Sequence, residues 1–163
     1  MDTPVLYEEV LSASNDRVRR FLTALAIIFG AATVVNLGIE RGTPNTLTEI
    51  FLAGAGLCLA ASVFFSFRLV TQIRADGIYV RYAPLQPSFA RFAFTDISRV
   101  HLRLFDAIAE YGGWGVRLGP SGRGYVVPAE WGIQLELTNG GRVLIATNHP
   151  EKVTAVLHKL GRL

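Results

Sequence analysis

Two long uncharged runs, "FLTALAIIFGAATVVNLGI" at 21–39 and "IFLAGAGLCLAASVFFSF" at 50–67, constrain this chain more than any other feature of it. They are nineteen and eighteen residues long, close to the roughly 20 that an α-helix needs to cross about 30 Å of hydrocarbon. A buried core helix of a soluble protein keeps one polar face, and neither run has one. A cleaved leader fits no better, because the segment before the first run carries Asp2, Glu8, Glu9 and Asp16, no small-x-small site closes the run, and a second run follows ten residues later. The pattern predicts a transmembrane hairpin: an N-terminal segment 1–20, a helix over 21–39, a loop over 40–49 and a helix over 50–67.

Arginines set the expected orientation. Arg17, Arg19 and Arg20 precede the first run, Arg41 lies in the loop, and Arg68, Arg74 and Arg81 follow the second run. The positive-inside rule then places both termini in the cytoplasm and the loop outside, in the inner membrane of the cell. Ala26 with Gly30, and Gly56 with Ala60, are spaced four apart and predict close helix approach within the hairpin or in a homo-oligomer. Asn36 is expected to bond across the hairpin or to reach the headgroups. Cys58, the single cysteine, lies mid-span, so no disulfide or cysteine metal site forms within one chain.

The 96 residues of 68–163 carry twelve basic and seven acidic side chains, a net charge of +5. Apolar and polar residues alternate repeatedly, as in Ile78, Val80, Tyr82 against Tyr79, Arg81, which reads as half-buried strands. "ADG" at 75–77 and "TNGG" at 138–141 read as hairpin turns. About seven strands are expected, near 69–75, 78–83, 97–104, 112–118, 123–127, 131–138 and 142–147. The period then changes: Val153, Val156, Leu157 and Leu160 follow helical spacing, with Pro150 at the start and Gly161 at the stop. About seven antiparallel strands and a C-terminal α-helix form the element order of a cytoplasmic PH-like β-barrel, a domain expected over 68–163 and expected to fold without the hairpin.

The succession "YGGWGVR", "GRGYVV" and "WGIQLELTNGGRVLIATNHPEKV" resembles uncharacterised bacterial two-pass membrane proteins whose C-terminal domain is PH-like. The resemblance spans roughly 68–160 and is most specific at Tyr111, Gly112, Gly113, Trp114 and Gly115, with Arg117, Gly124 and Tyr125 completing the motif. The sequence departs from it at Ala107 and around "VPAEWG". The resemblance implies architecture and location, and no biochemical activity.

Six glycines between 110 and 127 invite a phosphate-loop reading. Gly113, Gly115 and Gly119 have the wrong spacing for it, and "PSGRGYVV" leads into a strand where that loop requires a helix. A structural role is expected instead: a barrel corner with Trp114 and Val116 pointing inward, Tyr111 at the corner, and Arg117 outward or paired with Glu110 or Glu136. His101, His149 and His158 have no metal spacing, and Asp106 with Glu110 lacks a nucleophile and oxyanion donors. No catalytic or metal residues, no cofactor and no enzymatic activity are therefore expected.

The expected function is a membrane-anchored binding module that presents a protein-interaction surface, with no nucleic-acid partner. The alternatives are a weak anionic-lipid module, facing the bilayer through Arg74, Arg81, Arg91 and Arg99, and a homo-oligomeric structural membrane protein. The first hairpin loop, only Ala75, Asp76 and Gly77, argues against specific headgroup capture. Segment 82–92 reads equally as barrel wall or as a partner-binding lip.

Overall fold

In the computed structural model, residues 4–12, 16–39, 45–64 and 66–163 are described. Strand β1 (Val5–Ser12) is followed by helices α1 (Asp16–Ile39) and α2 (Thr46–Phe64), then strands β2 (Arg68–Arg74), β3 (Gly77–Ala83), β4 (Ala90–Ala93) and β5 (Ile97–Leu104). A short helix α3 (Ala107–Tyr111), strands β6 (Gly115–Gly119), β7 (Gly122–Val126), β8 (Trp131–Leu137) and β9 (Arg142–Thr147), and helix α4 (Pro150–Lys159) complete the chain. The described residues fall into two compact units: the helical pair, and a β unit in which 4–12 join 68–163.

The helical pair has the composition and length to cross a membrane. Of the apolar window of α1 only 6% is buried, and of α2 17%, so these are not core helices. Polar clasps hold the pair at both ends. Thr48 Oγ1 donates to Asn36 Oδ1 at 2.9 Å, as expected for Asn36, and the Thr23 and Ser62 hydroxyls are 2.8 Å apart. Helix α2 begins and ends about one turn earlier than the hydropathy run, because Asn45 caps it through its Oδ1 and the Thr48 N–H (3.0 Å). Of the 40–49 connection, residues 40–44 lie outside those described. The close approach also differs from expectation: it is Gly54 whose Cα faces the Phe29 ring, while Gly30 and Gly56 have open space around them.

The β unit holds two sheets, β1-β2-β3-β4 and β5-β8-β9-β7-β6, which do not close into a barrel. Among the described residues it has nine strands, eight of them within 68–163 where about seven were expected, and β7 pairs with β9 in parallel, against the expectation of an antiparallel set. Strand β1 lies in the N-terminal segment 1–20, for which no strand was expected. It pairs with β2 over its whole length, from Val5 opposite Arg74 to Ser12 opposite Arg68. Segment 82–92 takes in the end of β3, the connection 84–89 and most of β4, and the connection is closed by Gln86, whose N–H bonds the Tyr82 carbonyl (2.9 Å) and whose Oε1 accepts the Tyr82 N–H (3.1 Å).

Alternation places Leu69, Ile73, Ile78 and Val80 of one sheet and Tyr125, Ile133, Leu135 and Ile145 of the other in a fully buried core, with Val153 and Leu157 of α4. The Phe92 and Tyr125 rings meet edge to face at 6.4 Å across the sheets. The helical spacing expected for 150–160 is thus realised. The "TNGG" turn has Gly140 at φ 83°, whereas Gly77 of "ADG" has no positive φ and lies against the Phe92 carbonyl of β4.

Glu9 is the most unusual core residue. It is 5% exposed, points from β1 toward the end of β9, and accepts from Thr147 Oγ1 (2.6 Å) and the Asn148 N–H (2.9 Å). A buried carboxylate needs such donors, since its desolvation is otherwise uncompensated. Beside it, burial pushes the Tyr7 phenol well above its usual range.

Candidate functional site

The glycine-rich stretch starts on α3. Asp106 caps that helix, its Oδ1 accepting from Ile108 N (2.8 Å) and Ala109 N (2.9 Å), and Gly112 ends it in the left-handed conformation at φ 68°. Tyr111, 5% exposed, lies on Gly124 of β7, where a Cβ would sit 2.6 Å from Tyr111 Cδ1. Only glycine permits that contact. Tyr111, Val126 and Leu144, with Phe105 and Ala107 packed on them, form a second small core on the outer face of the five-stranded sheet.

Gly113 (φ 122°) and Gly115 (φ 116°) bracket Trp114 and break the strand's alternation. Trp114 consequently turns outward and is 45% exposed, contrary to the expected inward orientation, and Val116 is only half-buried. Arg117 pairs with neither Glu110 nor Glu136: its Nε donates to the Trp114 carbonyl at 2.9 Å. Glu110 is occupied by Arg103, which donates from Nη1 (2.9 Å) and Nη2 (2.6 Å). Of the motif, Tyr111, Gly124 and the fully buried Tyr125 are structural, the glycines at 112, 113 and 115 shape the turn, and Trp114 is left facing solvent.

Trp114 borders an open groove of about 500 Å³ at one end of the β unit, together with Pro128, Glu130, Trp131 and the Thr147–Asn148 segment. Trp131 is 38% exposed, and Leu104, its register partner on β5, is 60% exposed. Two indoles thus stand around one concavity, with Leu104 beside Trp131 on the neighbouring strand. Its floor is held by Glu9, since Thr147 and Asn148 are the two residues that the buried carboxylate grips. Trp131, Leu104 and Glu9 carry little local signal, only a strand-terminal apolar pair and a glutamate in a charged N-terminal segment.

The four arginines read as lipid-facing do not form one group. Arg74, Arg81 and Arg91 share the outer face of the four-stranded sheet. There Arg74 (4.6 Å) and Arg91 (5.9 Å) approach the same Tyr79 ring, and Arg81 lies 4.8 Å from the Phe89 ring. Arg91 also pairs with Asp76 at 2.9 Å, which offsets its charge. Asp76 accepts the Tyr79 hydroxyl and raises that phenol's pKa. Arg99 belongs to the other sheet, on β5. Among the described residues, no three His, Cys, Asp or Glu side chains gather as metal ligands.

Hydrogen bonds from Arg103 hold the Glu110 carboxyl below its ordinary value of 4.5. A depressed carboxylate contributes stability that is fully present above the unfolded-state pKa and is lost as pH falls through the folded one. The melting temperature advantage of the wild-type chain over Glu110→Gln should therefore be constant near neutral pH and shrink from about pH 4.5 downward. Parallel thermal melts at stepped pH check this, and an advantage unchanged at pH 3 would contradict the pairing.

Residues 21–160 match a family of unknown function. The chain belongs to the DUF6141 family. The DUF6141 match begins inside α1 and ends at the close of α4, so it takes in the helical pair and β2 to β9 while β1 precedes it. No curated protein and no solved structure matches the chain.

Proposed function

We propose that this DUF6141 protein is a membrane-anchored binding module whose helical hairpin spans the inner membrane and whose β unit is a PH-like domain that receives a protein partner in the tryptophan groove. The observation that carries the reading is the pair of exposed indoles, Trp114 and Trp131, around one open groove. Tryptophan is enriched among residues that dominate protein interfaces, because it offers large apolar area and one N–H at low entropic cost. A PH-like reading is supported by the element order: seven strands, β1 to β5 with β8 and β9, precede α4, and every pairing among these seven is antiparallel. On that reading α3, β6 and β7 are an insertion between β5 and β8.

The pairing of β1 with β2 supports the orientation independently of charge. Two helices separate these strands in sequence, and strands of one sheet occupy one compartment, so spanning helices put both flanks on the same side. The arginine distribution then selects the cytoplasm. Reporter fusions at 45 and 163 should report outside and inside respectively; the reverse pattern would overturn the orientation.

A photocrosslinking residue at Glu130, an exposed position on the groove, tests the partner. In intact cells it should yield a discrete protein adduct that disappears when Trp131 is replaced by alanine. Adducts to lipid alone would favour the second reading, in which Arg74, Arg81 and Arg91 on their shared sheet face attract an anionic leaflet. That reading predicts vesicle binding that falls stepwise as these arginines are changed to glutamine and that vanishes at high salt. An oligomer built through Gly56 and Ala60 remains a third arrangement, and crosslinks within the hairpin would reveal it.

A further inference from the structure

The helical pair carries a cleft of its own, of about 370 Å³, at the end where Thr23 meets Ser62. One wall is a single face of α1: Arg19, Arg20, Thr23 and Ile27 follow the three- and four-residue steps that align side chains along a helix. Ser62 of α2 and Ser66, just beyond that helix, form the other wall. From Arg19 to Ile27 the helix rises about 12 Å. Along α1 the cleft is therefore basic at its mouth, hydroxylated one turn deeper and apolar after that, where Ile27 is 67% exposed.

The hydrogen bonds decide what these walls offer a ligand. Thr23 donates its hydroxyl proton to the Arg19 carbonyl (2.9 Å), so in the 2.8 Å contact between Thr23 and Ser62 it is Ser62 that donates. Ser66 likewise donates to the Ser62 carbonyl at 2.8 Å. Every hydroxyl proton is thus committed within the protein, and Thr23 and Ser66 keep only oxygen lone pairs to offer. The guanidiniums are the converse, with several N–H donors and no acceptor, so an arginine engaged elsewhere in the protein still has donors left. Among the described residues no carboxylate lines the cleft.

We propose that this cleft holds one phospholipid whose headgroup is anionic and hydroxylated, with Arg19 and Arg20 on the phosphate, headgroup hydroxyls donating to Thr23 and Ser66, and an acyl chain along Ile27. The inference rests on the reading of the pair as a membrane-spanning hairpin, and turns that hairpin from an anchor into a lipid-selecting site. Basic pockets between spanning helices on the cytoplasmic side accept anionic headgroups, and guanidinium bonds to phosphate are among the strong hydrogen bonds. Phosphatidylglycerol has the required chemistry. Phosphatidylserine carries the same net charge but brings an ammonium toward the two arginines, with no carboxylate in the described lining to receive it. Diffuse attraction by the arginines of the β unit, in contrast, treats the two lipids alike.

The test uses the full chain in phosphatidylcholine nanodiscs that contain equal minor fractions of phosphatidylglycerol and phosphatidylserine. Native mass spectrometry counts the lipids that stay on the chain when the discs are stripped away. One retained phosphatidylglycerol is expected, favoured over phosphatidylserine about fivefold or more, the discrimination that one net hydrogen bond gives. Arg20→Gln should lower this retention about tenfold or more, the loss typical of a charge-assisted hydrogen bond. Arg17→Gln removes the same charge from the same flank of α1, but Arg17 does not line the cleft, so retention should be unchanged. Equal retention of the two lipids by the wild type overturns the proposal, as does an equal loss from Arg17→Gln and Arg20→Gln. A chain that enters no disc overturns the hairpin reading and the proposal with it, whereas entry without selection overturns the proposal alone.

Discussion

Removing β1 should abolish the cooperative melt of the β unit. Residues 68–163 alone leave β2 without its outer neighbour, uncover Leu69, Thr71 and Ile73, and delete Leu11 and Glu9 from the core. Burying a leucine contributes about 1.5–3 kcal/mol, and each hydrogen bond to a charged group about the same. The sum is a large share of the roughly 5–15 kcal/mol that a domain holds in total. Glu9→Ala alone should cost about 2–4 kcal/mol, because it strands the Thr147 hydroxyl and the Asn148 N–H. The strand pair also provides the remedy. Ser12 lies opposite Arg68, so joining 1–12 to 68–163 by an Asn-Gly turn should restore a soluble, cooperatively melting β unit. Denaturant titrations of the two proteins decide it, and equal stability with and without 1–12 would show that β1 contributes nothing.

Tyr111→Ala in that joined protein should cost about 3–5 kcal/mol, the range for truncating a large buried ring. Gly124→Val should be comparably damaging, since its Cβ would occupy space taken by the Tyr111 ring. Trp114→Ala should change stability by about 0.5 kcal/mol or less, as an exposed side chain does. The ordering is what matters: a melt in which Trp114→Ala is more harmful than Tyr111→Ala would place the indole back in the core. Gly113→Val should fall between, costing about 1–3 kcal/mol through its positive φ.

The same residues explain what the sequence could reveal. The helical pair, the "TNGG" hairpin and α4 were legible because each is encoded by contiguous residues with one period or one turn. Strand β1 was not, because "VLYEEV" carries two adjacent glutamates and its partner begins 56 positions after Ser12, at Arg68. The parallel pairing of β7 with β9 joins strands across the intervening β8, which alternation within a strand cannot express. Helix α3, at five residues, is shorter than two turns and leaves little periodic signal. The orientation of Trp114 was misread because period-2 counting assumes extended backbone, and the glycines on either side of it are not extended. The groove draws on residues from distant strands, so it forms no local motif.

A nascent chain meets a delay that follows from the separation of β1 from β2. The ribosome releases β1 first, then makes 55 further residues, 13–67, before β2 emerges. At about 5–20 residues per second, that interval lasts about 3–11 s. For those seconds β1 is an orphan with an unpaired edge and a carboxylate whose donors, Thr147 and Asn148, have yet to be synthesised. Glu9 therefore stays hydrated until the last strand arrives, and is desolvated only then. Completion of the groove is thereby a late checkpoint, reached only once the last strand has been made.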